Sequence, residues 1–248
     1  MFSFFKKNTE ASVPTAFAQS LLVDMHSHIL PGIDDGAADV EASVSLITTL
    51  VSKGYNKLIC TPHIFKELYP NTPETIRNAY NTLLPVVRST FPNLELGYAA
   101  EYYMDDFFDK MLLNNEPLLT IKDNWVLVEH SFMQPPPNLK EKLFNLQMAG
   151  YTPILAHPER YEFYAKNLKA YDELYDVGCI FQLNVLSLSG YYGKVAQELA
   201  KHLIEKKYVR LLGTDIHHNR HQQAYEHFGN NKLLQQLLQQ GKLLNATL

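Results

Sequence analysis

Residues 21–36 have the sequence LLVDMHSHILPGIDDG, in which a short apolar run is followed at once by histidines and aspartates. The apolar residues 21–25 predict a buried strand. His26 and His28 have the two-residue spacing that points both side chains to the same side of an extended backbone. The segment therefore predicts a strand that delivers two imidazoles to one place at its carboxyl end.

The same succession of an apolar run and a polar residue recurs along the chain. Further strands are predicted at residues 57–60, 94–100, 125–128, 152–156, 179–183 and 209–212. Apolar residues at helical spacing separate most of these strands, as at Val40, Val44, Ile47 and Val51. Seven strands separated by helices indicate an α/β fold of parallel βα units, arranged as an open doubly wound sheet or as a closed barrel.

Length and composition exclude several classes of protein. The 248 residues are 46% hydrophobic and 19% charged, which excludes a largely disordered chain. We expect a single domain at residues 21–248, preceded by an N-terminal extension at residues 1–20 that is not a secretory signal. A net charge of −4 without a basic block disfavours nucleic-acid binding, and no apolar run is long enough to predict a membrane-spanning helix.

Two cysteines, Cys60 and Cys179, both lie in predicted strands. They do not form a disulfide framework typical of secreted domains, so we expect a cytoplasmic protein. The Cys-x5-Arg signature of cysteine-dependent phosphatases is also missing, because Lys66 and Val185 stand where the arginine would be. A thiol-phosphate intermediate is therefore not expected.

Six of the seven predicted strands end in a histidine or an acidic residue, and the carboxyl ends of parallel strands are where α/β folds build their sites. These residues include His26, His28, Asp34, Asp35, His63, Glu101, Glu129, His130, His157, Asp215 and His217. Bringing so many carboxylates and imidazoles together is costly without a cation. Nitrogen and oxygen ligands without cysteine suit zinc, manganese or iron. Two or three ions sharing a bridging carboxylate would serve phosphate chemistry.

A family resemblance rests on specific motifs of this sequence. They are DMHSHILPGIDDG (24–36), TPH (61–63), AHPER (156–160) and TDIH (214–217), together with Glu101 and Glu129. This pattern resembles the polymerase-and-histidinol-phosphatase (PHP) superfamily. Within that superfamily, the chain is most similar to the bacterial metal-dependent protein-tyrosine phosphatases of capsule and exopolysaccharide clusters. The resemblance covers about residues 21–220.

The resemblance implies a distorted, TIM-barrel-like fold of seven βα units and three divalent metal ions. We expect manganese, with iron, zinc or magnesium as alternatives. Carried over by position, the implied ligands are His26, His28, Glu101 and Asp215 for the first ion, Glu101, Glu129 and His157 for the second, and Asp35, His63 and His217 for the third. Asp34 is an alternative to Asp35, and His130 is an alternative to Glu129.

The resemblance also implies how the reaction proceeds. Arg160 and Arg220 resemble the arginines that contact phosphate, since a guanidinium can bind two phosphate oxygens at once. The implied activity is hydrolysis of phosphotyrosine by a metal-activated hydroxide. His63 or His217 could assist the leaving group, but the sequence assigns no general acid. Tyr103 and other tyrosines beside the ligand positions could stack on a substrate ring, although packing in the core explains them equally well.

The implied substrate is a phosphotyrosine protein, specifically an autophosphorylating tyrosine kinase of polysaccharide export, whose regulation would control capsule synthesis. Three alternatives remain open. The chain could hydrolyse histidinol phosphate or another small phosphomonoester. It could be a phosphodiesterase or nuclease, or a metal-binding protein without catalytic activity. The sequence leaves the oligomeric state open.

Overall fold

The structure is a computed structural model that describes residues 22–248. The predicted extension at residues 1–20 and the first residue of the first predicted strand lie outside the described residues. Strands and helices alternate along the described chain, so the predicted α/β class is correct. None of the helices in this range is both long and apolar enough to cross a membrane.

The described residues form nine short strands and eight α-helices. The strands are β1 (Val23–Asp24), β2 (Lys57–Cys60), β3 (His63–Ile64), β4 (Glu95–Tyr98), β5 (Glu101–Tyr103), β6 (Trp125–Glu129), β7 (Thr152–Leu155), β8 (Ile180–Asn184) and β9 (Val209–Gly213). The helices are α1 (Val40–Ser52), α2 (Pro73–Thr90), α3 (Asp106–Leu113), α4 (Leu139–Met148), α5 (Lys169–Asp176), α6 (Lys194–Glu205), α7 (Asn219–His227) and α8 (Lys232–Gln239).

The strands form two parallel sheets. One has the order β1-β2-β4 and the other the order β3-β5-β6-β7-β8-β9. Neither sheet closes on itself within residues 22–248, so the seven-stranded barrel is not seen as one closed sheet. Nine strands are seen instead of seven because two short strands, β3 and β5, lie just beyond the predicted strands 57–60 and 94–100. Pro62, which has no N–H to donate, separates β2 from β3, and Ala99 and Ala100 separate β4 from β5.

Apolar side chains pack on both faces of the strands. A large cluster includes Leu58, Val126 and Leu155 and packs the sheets against the helices. A smaller cluster uses the alternate strand positions, such as Ile59 and Ile154, together with residues that include Leu127 and Leu211. Strands buried on both faces are typical of parallel sheets covered by helices, and they make a rigid support for the segments at their carboxyl ends.

Backbone hydrogen bonds join the segments that follow β1 and β9. Ser27 and Ile216 form an isolated parallel bridge. The N–H of His28 donates to the carbonyl oxygen of Ile216 at 3.0 Å, and the N–H of Asp215 donates to that of His26 at 2.7 Å. Three predicted metal ligands are thereby fixed to one another through their main chains, although they are almost 190 residues apart in sequence.

Candidate metal centre

All nine predicted metal ligands converge in one place, where most follow the carboxyl ends of strands and where His63 and Glu101 begin the short strands β3 and β5. Their ligand atoms form four overlapping groups, each with its atoms within 4.8 Å of one another: His28, Asp35, His63 and His217; His26, His28 and Glu101; His26, His157 and Asp215; and His63, Glu101 and Glu129. These groups divide the residues differently from the three predicted sites. His28 also joins the group of Asp35, and His157 lies with His26 and Asp215.

Strand ends and strained turns place these side chains. Glu101 begins β5 and Glu129 ends β6, while His157 and Asp215 follow β7 and β9 within two residues. His157 has φ 35° and Asp215 has φ 52°, which is left-handed backbone that side chains other than glycine rarely adopt. Such strain persists where the surrounding structure imposes it, and it is frequent at functional sites.

The imidazoles of His26 and His28 are held so that one nitrogen of each is free for a ligand. His26 Nδ1 donates to Gln182 Oε1 at 2.8 Å, and His28 Nδ1 donates to Asp34 Oδ2 at 2.8 Å. In neutral imidazoles the proton is then on Nδ1, so Nε2 carries a lone pair. The two Nε2 atoms face each other at 3.2 Å.

Two carboxylates point to the same place as these lone pairs. Glu101 Oε2 lies 3.2 Å from His26 Nε2 and 3.3 Å from His28 Nε2. Asp215 Oδ1 lies 3.4 Å and 3.5 Å from the same two nitrogens. Glu101, His26 and His28 are fully buried. Four acceptor atoms that face one another in a buried space repel unless a positive charge lies between them, and a divalent cation meets that requirement.

Buried polar atoms without hydrogen bonds give a second test of whether these residues fit a metal site. His63 Nδ1 and Glu101 Oε2 make no hydrogen bond, although they are only 3.2 Å apart. His63 Nδ1 also lies 2.9 Å from Glu129 Oε1 without the angles of a hydrogen bond. Buried polar atoms are nearly always hydrogen-bonded, so these atoms require another partner. The residues therefore fit a cluster of divalent ions.

The pKa shifts of the clustered histidines and of Glu101 also indicate that the cluster favours positive charge. Burial alone would lower the pKa of His63, but the carboxylates of Glu129 and Glu101 raise it to about 9. Burial likewise opposes the positive charge of His26, yet Glu101 and Asp215 raise its pKa above the usual value. In the opposite sense, burial would raise the pKa of Glu101, while His26 and His63 hold it well below its usual range.

Asp34 and Asp35 have different surroundings, which bears on the choice between them. The Asp34 carboxylate accepts hydrogen bonds from His28 Nδ1 and from the N–H of Gly36 and His63. Asp35 is half-exposed, and its Oδ1 lies 3.5 Å from His63 Nε2 and 3.6 Å from His217 Nε2. Asp34 thus orients the candidate ligand His28, whereas Asp35 faces the cluster directly.

Glu129 and His130 point to opposite sides of their segment. The two oxygens of Glu129 face His63 at 2.9 Å and His157 at 3.9 Å. The His130 ring instead stacks on Tyr161 with the ring centres 3.8 Å apart, and burial lowers its pKa to about 4. The geometry therefore favours Glu129 as the residue that faces the cluster.

The two predicted phosphate-binding arginines lie in different places. Arg160 is three-quarters buried and its Nη1 donates to Asp215 Oδ2 at 2.8 Å, which leaves its other N–H groups available. Arg220 is exposed in the first turn of α7, where its own N–H donates to His218 Nδ1. Burial raises the pKa of Tyr191, and the charges of both arginines oppose this rise. Arg220 thus lies on the same side of the molecule as Arg160, but it is not part of the buried cluster.

Neither cysteine is suited to be a nucleophile. Cys60 and Cys179 are both free and buried. Burial raises the pKa of the Cys179 thiol to about 12 and raises that of Cys60 further. The reactive thiolate is therefore disfavoured at both positions, in agreement with the missing Cys-x5-Arg signature.

The sequence analysis missed two residues that orient the ligands. Gln182 Oε1 accepts from His26 Nδ1, and the Gln182 amide nitrogen donates to Asn184 Oδ1 at 3.0 Å. Asn184 Nδ2 in turn donates to Asp215 Oδ2 at 2.6 Å. Two buried amides at alternate positions of an otherwise apolar strand were the available signal, because their side chains must point to the same face.

We expect the Gln182→Leu variant to bind divalent ions about 10- to 100-fold more weakly, because His26 Nδ1 loses the acceptor that fixes its orientation. A competition titration with a chromogenic chelator measures this affinity. Gln223→Leu, at an exposed position of α7, is the matched control. Unchanged affinity in Gln182→Leu would show that this hydrogen bond does not support the site.

The comparisons with known proteins agree with this geometry. Residues 22–235 match the family model for capsular polysaccharide synthesis proteins of the CpsB/CapC type. The chain belongs to the CpsB/CapC family. The resemblance predicted from the sequence motifs is confirmed at this level.

Sequence identities were compared with individual tyrosine-protein phosphatases. The chain is 29% identical to the tyrosine-protein phosphatase YwqE of Bacillus subtilis over 205 residues, which cover 79% of this chain and 77% of YwqE. It is also 29% identical to the tyrosine-protein phosphatase CpsB of Streptococcus pneumoniae over 203 residues, which cover 79% of this chain and 83% of CpsB.

Solved structures extend the comparison beyond sequence. One solved chain comes from the crystal structures of the metal-dependent tyrosine phosphatases YwqE of B. subtilis and CpsB of S. pneumoniae. Its TM-score is 0.75 at 27% identity, and the match covers 90% of the chain described here and 94% of the solved chain. The phosphotriesterase homology protein of Escherichia coli has a TM-score of 0.51 at 14% identity, covering 90% and 92% of the two chains. The second similarity concerns the fold alone.

Proposed function

We propose that this chain is a metal-dependent protein-tyrosine phosphatase of capsule or exopolysaccharide synthesis. The observation that carries the proposal is the convergence of nine imidazole and carboxylate side chains, most of them buried. It occurs in a member of a family whose relatives YwqE and CpsB are tyrosine-protein phosphatases. The activity is then that of a phosphoric monoester hydrolase.

Three divalent ions, with manganese as the expected metal, are part of the proposal. His26, His28, Glu101 and Asp215 would hold the first, Glu101, Glu129 and His157 the second, and Asp35, His63 and His217 the third. The central position of Glu101 supports it as the shared ligand, because its two oxygens face imidazoles on both sides. Bound divalent ions would supply an activated water and neutralise charge on the phosphoryl oxygens.

Arg160 and the leaving group complete the chemistry that the chain itself provides. Arg160 is positioned by Asp215 and can offer its remaining donors to two phosphoryl oxygens, which would stabilise charge in the transition state. A phenolate has a solution pKa of about 10, so it needs less protonation than an alkoxide would. His63 and His217 keep 13% and 11% of their side chains exposed, which would allow either to assist the departing phenolate.

Several finer expectations follow from the family resemblance and complete the proposal. The natural substrate would be an autophosphorylating tyrosine kinase of polysaccharide export, in the cytoplasm. Residues 21–248 would form one phosphatase domain after the extension at residues 1–20. The two sheets would together approximate the distorted barrel of βα units, which is supported by the bridge between Ser27 and Ile216.

A panel of substrates tests the proposed function. The purified chain is assayed with a phosphotyrosine peptide, histidinol phosphate and single-stranded DNA, first with manganese and then with a chelator. We expect turnover of the phosphotyrosine peptide that disappears on chelation. Preference for histidinol phosphate or DNA would assign one of the alternative activities, and no turnover of any substrate would indicate a binding protein.

A further inference from the structure

Two aromatic side chains flank Arg160 on the solvent side of the candidate metal centre. The Phe132 ring centre lies 4.6 Å from the guanidinium carbon, and the Tyr192 ring centre lies 4.3 Å from it. Both distances suit cation–π contacts, which restrict the motion of the guanidinium. Phe132 belongs to the segment just after β6, and Tyr192 lies just before α6.

These side chains line a pocket beside the cluster. The pocket has a volume of 280 Å³, and its lining is completed by Glu162 and Ala196. Pockets for drug-sized ligands measure about 300 to 1,000 Å³, so this one has room for a single substituted ring. Ala196 is buried and contributes only a methyl group, so it takes up little of the pocket.

The pocket is continuous with the residues of the cluster. Phe132 stacks on His157 with ring centres 5.5 Å apart and an interplanar angle of 26°. Arg160, which lines the pocket, contacts Asp215. A phosphoryl group bound against Arg160 and the cluster would therefore have its ester substituent beside Phe132. The 44% exposure of Phe132 is large for such an apolar side chain and leaves part of the ring free for a ligand.

Other aromatic residues near the cluster are less suited to contact a substrate. Tyr102, Tyr161 and Tyr164 are buried in the core, which agrees with the packing interpretation of these tyrosines. Tyr103 stacks on Phe65 and Tyr69 stacks on His63, but neither tyrosine lines the pocket beside Arg160. The pocket beside Arg160 combines an anion-binding guanidinium with partly free aromatic surface.

We propose that this pocket receives the phenyl ring of phosphotyrosine and that Phe132 and Tyr192 determine specificity for aryl phosphates. The proposal rests on the proposed phosphatase function and names the part of the substrate that the pocket recognises. Offset stacking on Phe132 would hold the ring, while Arg160 binds the phosphoryl group. Tyr192 would close the opposite wall.

The proposal predicts discrimination against phosphoserine. Glu101, His26 and His28 are fully buried, so the phosphoryl group must enter below the protein surface to reach them. A tyrosine ring separates the phosphate from the peptide main chain and can fill the pocket. A serine side chain has a single methylene in that position, so it would leave the ring pocket unfilled and would have to bring its main chain down to the pocket to reach the cluster.

Binding of two non-hydrolysable phosphonates tests the proposal without requiring turnover. Phenylphosphonate and methylphosphonate share the anionic group and differ in the ring. Calorimetric titration of the manganese-loaded protein should show that Phe132→Ala weakens phenylphosphonate binding about tenfold, while methylphosphonate binding changes less than about twofold. Phe132→Tyr should restore phenylphosphonate binding. Phe144→Ala, which removes an exposed phenylalanine of α4, is the matched control and should change neither.

Two results would overturn the ring pocket. Equal weakening of both phosphonates in Phe132→Ala would mean that Phe132 supports Arg160 instead of contacting a ring. Equal affinity of the parent protein for both phosphonates would mean that no ring site exists. Failure of the proposed function is recognised separately, as absence of phosphotyrosine turnover by the parent protein, which the titration does not use.

Discussion

The Glu101→Gln variant is expected to lose turnover of phosphotyrosine peptide by about a thousandfold or more while the chain stays folded. Glu101 is buried, and its oxygens lie within 3.3 Å of His26, His28, His63 and His157. Glutamine keeps the shape of the side chain but removes the negative charge and replaces one ligand oxygen with an NH₂ group. The measurement is steady-state turnover at saturating manganese, with circular dichroism to follow the fold.

Glu95→Gln provides the matched control for this variant. Glu95 lies on β4, where its exposed carboxylate pairs with Lys57 at the surface. Exposed ion pairs contribute little to stability, so this variant should retain the parent turnover. Parent-like activity in Glu101→Gln at saturating manganese would show that the shared carboxylate is not required, and the proposed ligand set would then be wrong.

The Arg160→Lys variant is expected to lower kcat/KM for phosphotyrosine peptide about 100-fold with no change in bound metal. Lysine keeps the positive charge but cannot bind two phosphoryl oxygens in the plane of a guanidinium. Of the two Asp215 oxygens, Arg160 binds Oδ2, while Oδ1 faces the cluster, so the candidate metal ligands should stay in place. Steady-state kinetics and elemental analysis of the same preparation measure both quantities.

Two further substitutions separate phosphate binding from general effects of arginine. Arg77→Lys, on the exposed face of α2, should match the parent. Arg220→Lys should have a smaller effect than Arg160→Lys, because Arg220 is exposed and outside the buried cluster. Kinetics of Arg160→Lys that equal those of the parent would assign Arg160 a structural role.

The positions of the candidate ligands could be predicted because they depend on a simple geometric rule. Strands of a parallel arrangement all end at the same side, so residues such as His63, Glu129 and His157 meet there even though they are far apart in sequence. The period of two within a strand likewise places His26 beside His28. The structure brings these residues together as this rule predicts.

The way the ligands are grouped could not be predicted in the same manner. Grouping depends on side-chain directions, which are set by neighbours from other strands. Gln182 turns one ring through its hydrogen bond to His26, and Asp34 turns the ring of His28. Gly213 allows this close packing, since a Cβ atom there would lie 2.6 Å from the Cβ of His26. Such contacts between distant segments leave no periodic pattern in the sequence.

The aromatic pocket also could not be predicted from the sequence. Phe132 follows the predicted ligand Glu129 by three residues, but a phenylalanine there could equally pack in a core. Only its contact with Arg160 and its partial exposure distinguish it from the buried tyrosines nearby. Similarly, the short strands β3 and β5 lie beyond the predicted strands, because their pairing depends on which neighbour offers hydrogen bonds in the assembled sheets.

Metal content measured together with turnover tests most directly whether several cations in this cluster perform the chemistry. Elemental analysis of one purified preparation, before and after dialysis against a chelator, is compared with its hydrolysis of phosphotyrosine peptide. The structure predicts more than one divalent ion per chain, parallel loss of ions and activity, and recovery of both on adding manganese. A sample that contains no bound metal and hydrolyses the peptide at the full rate would contradict it.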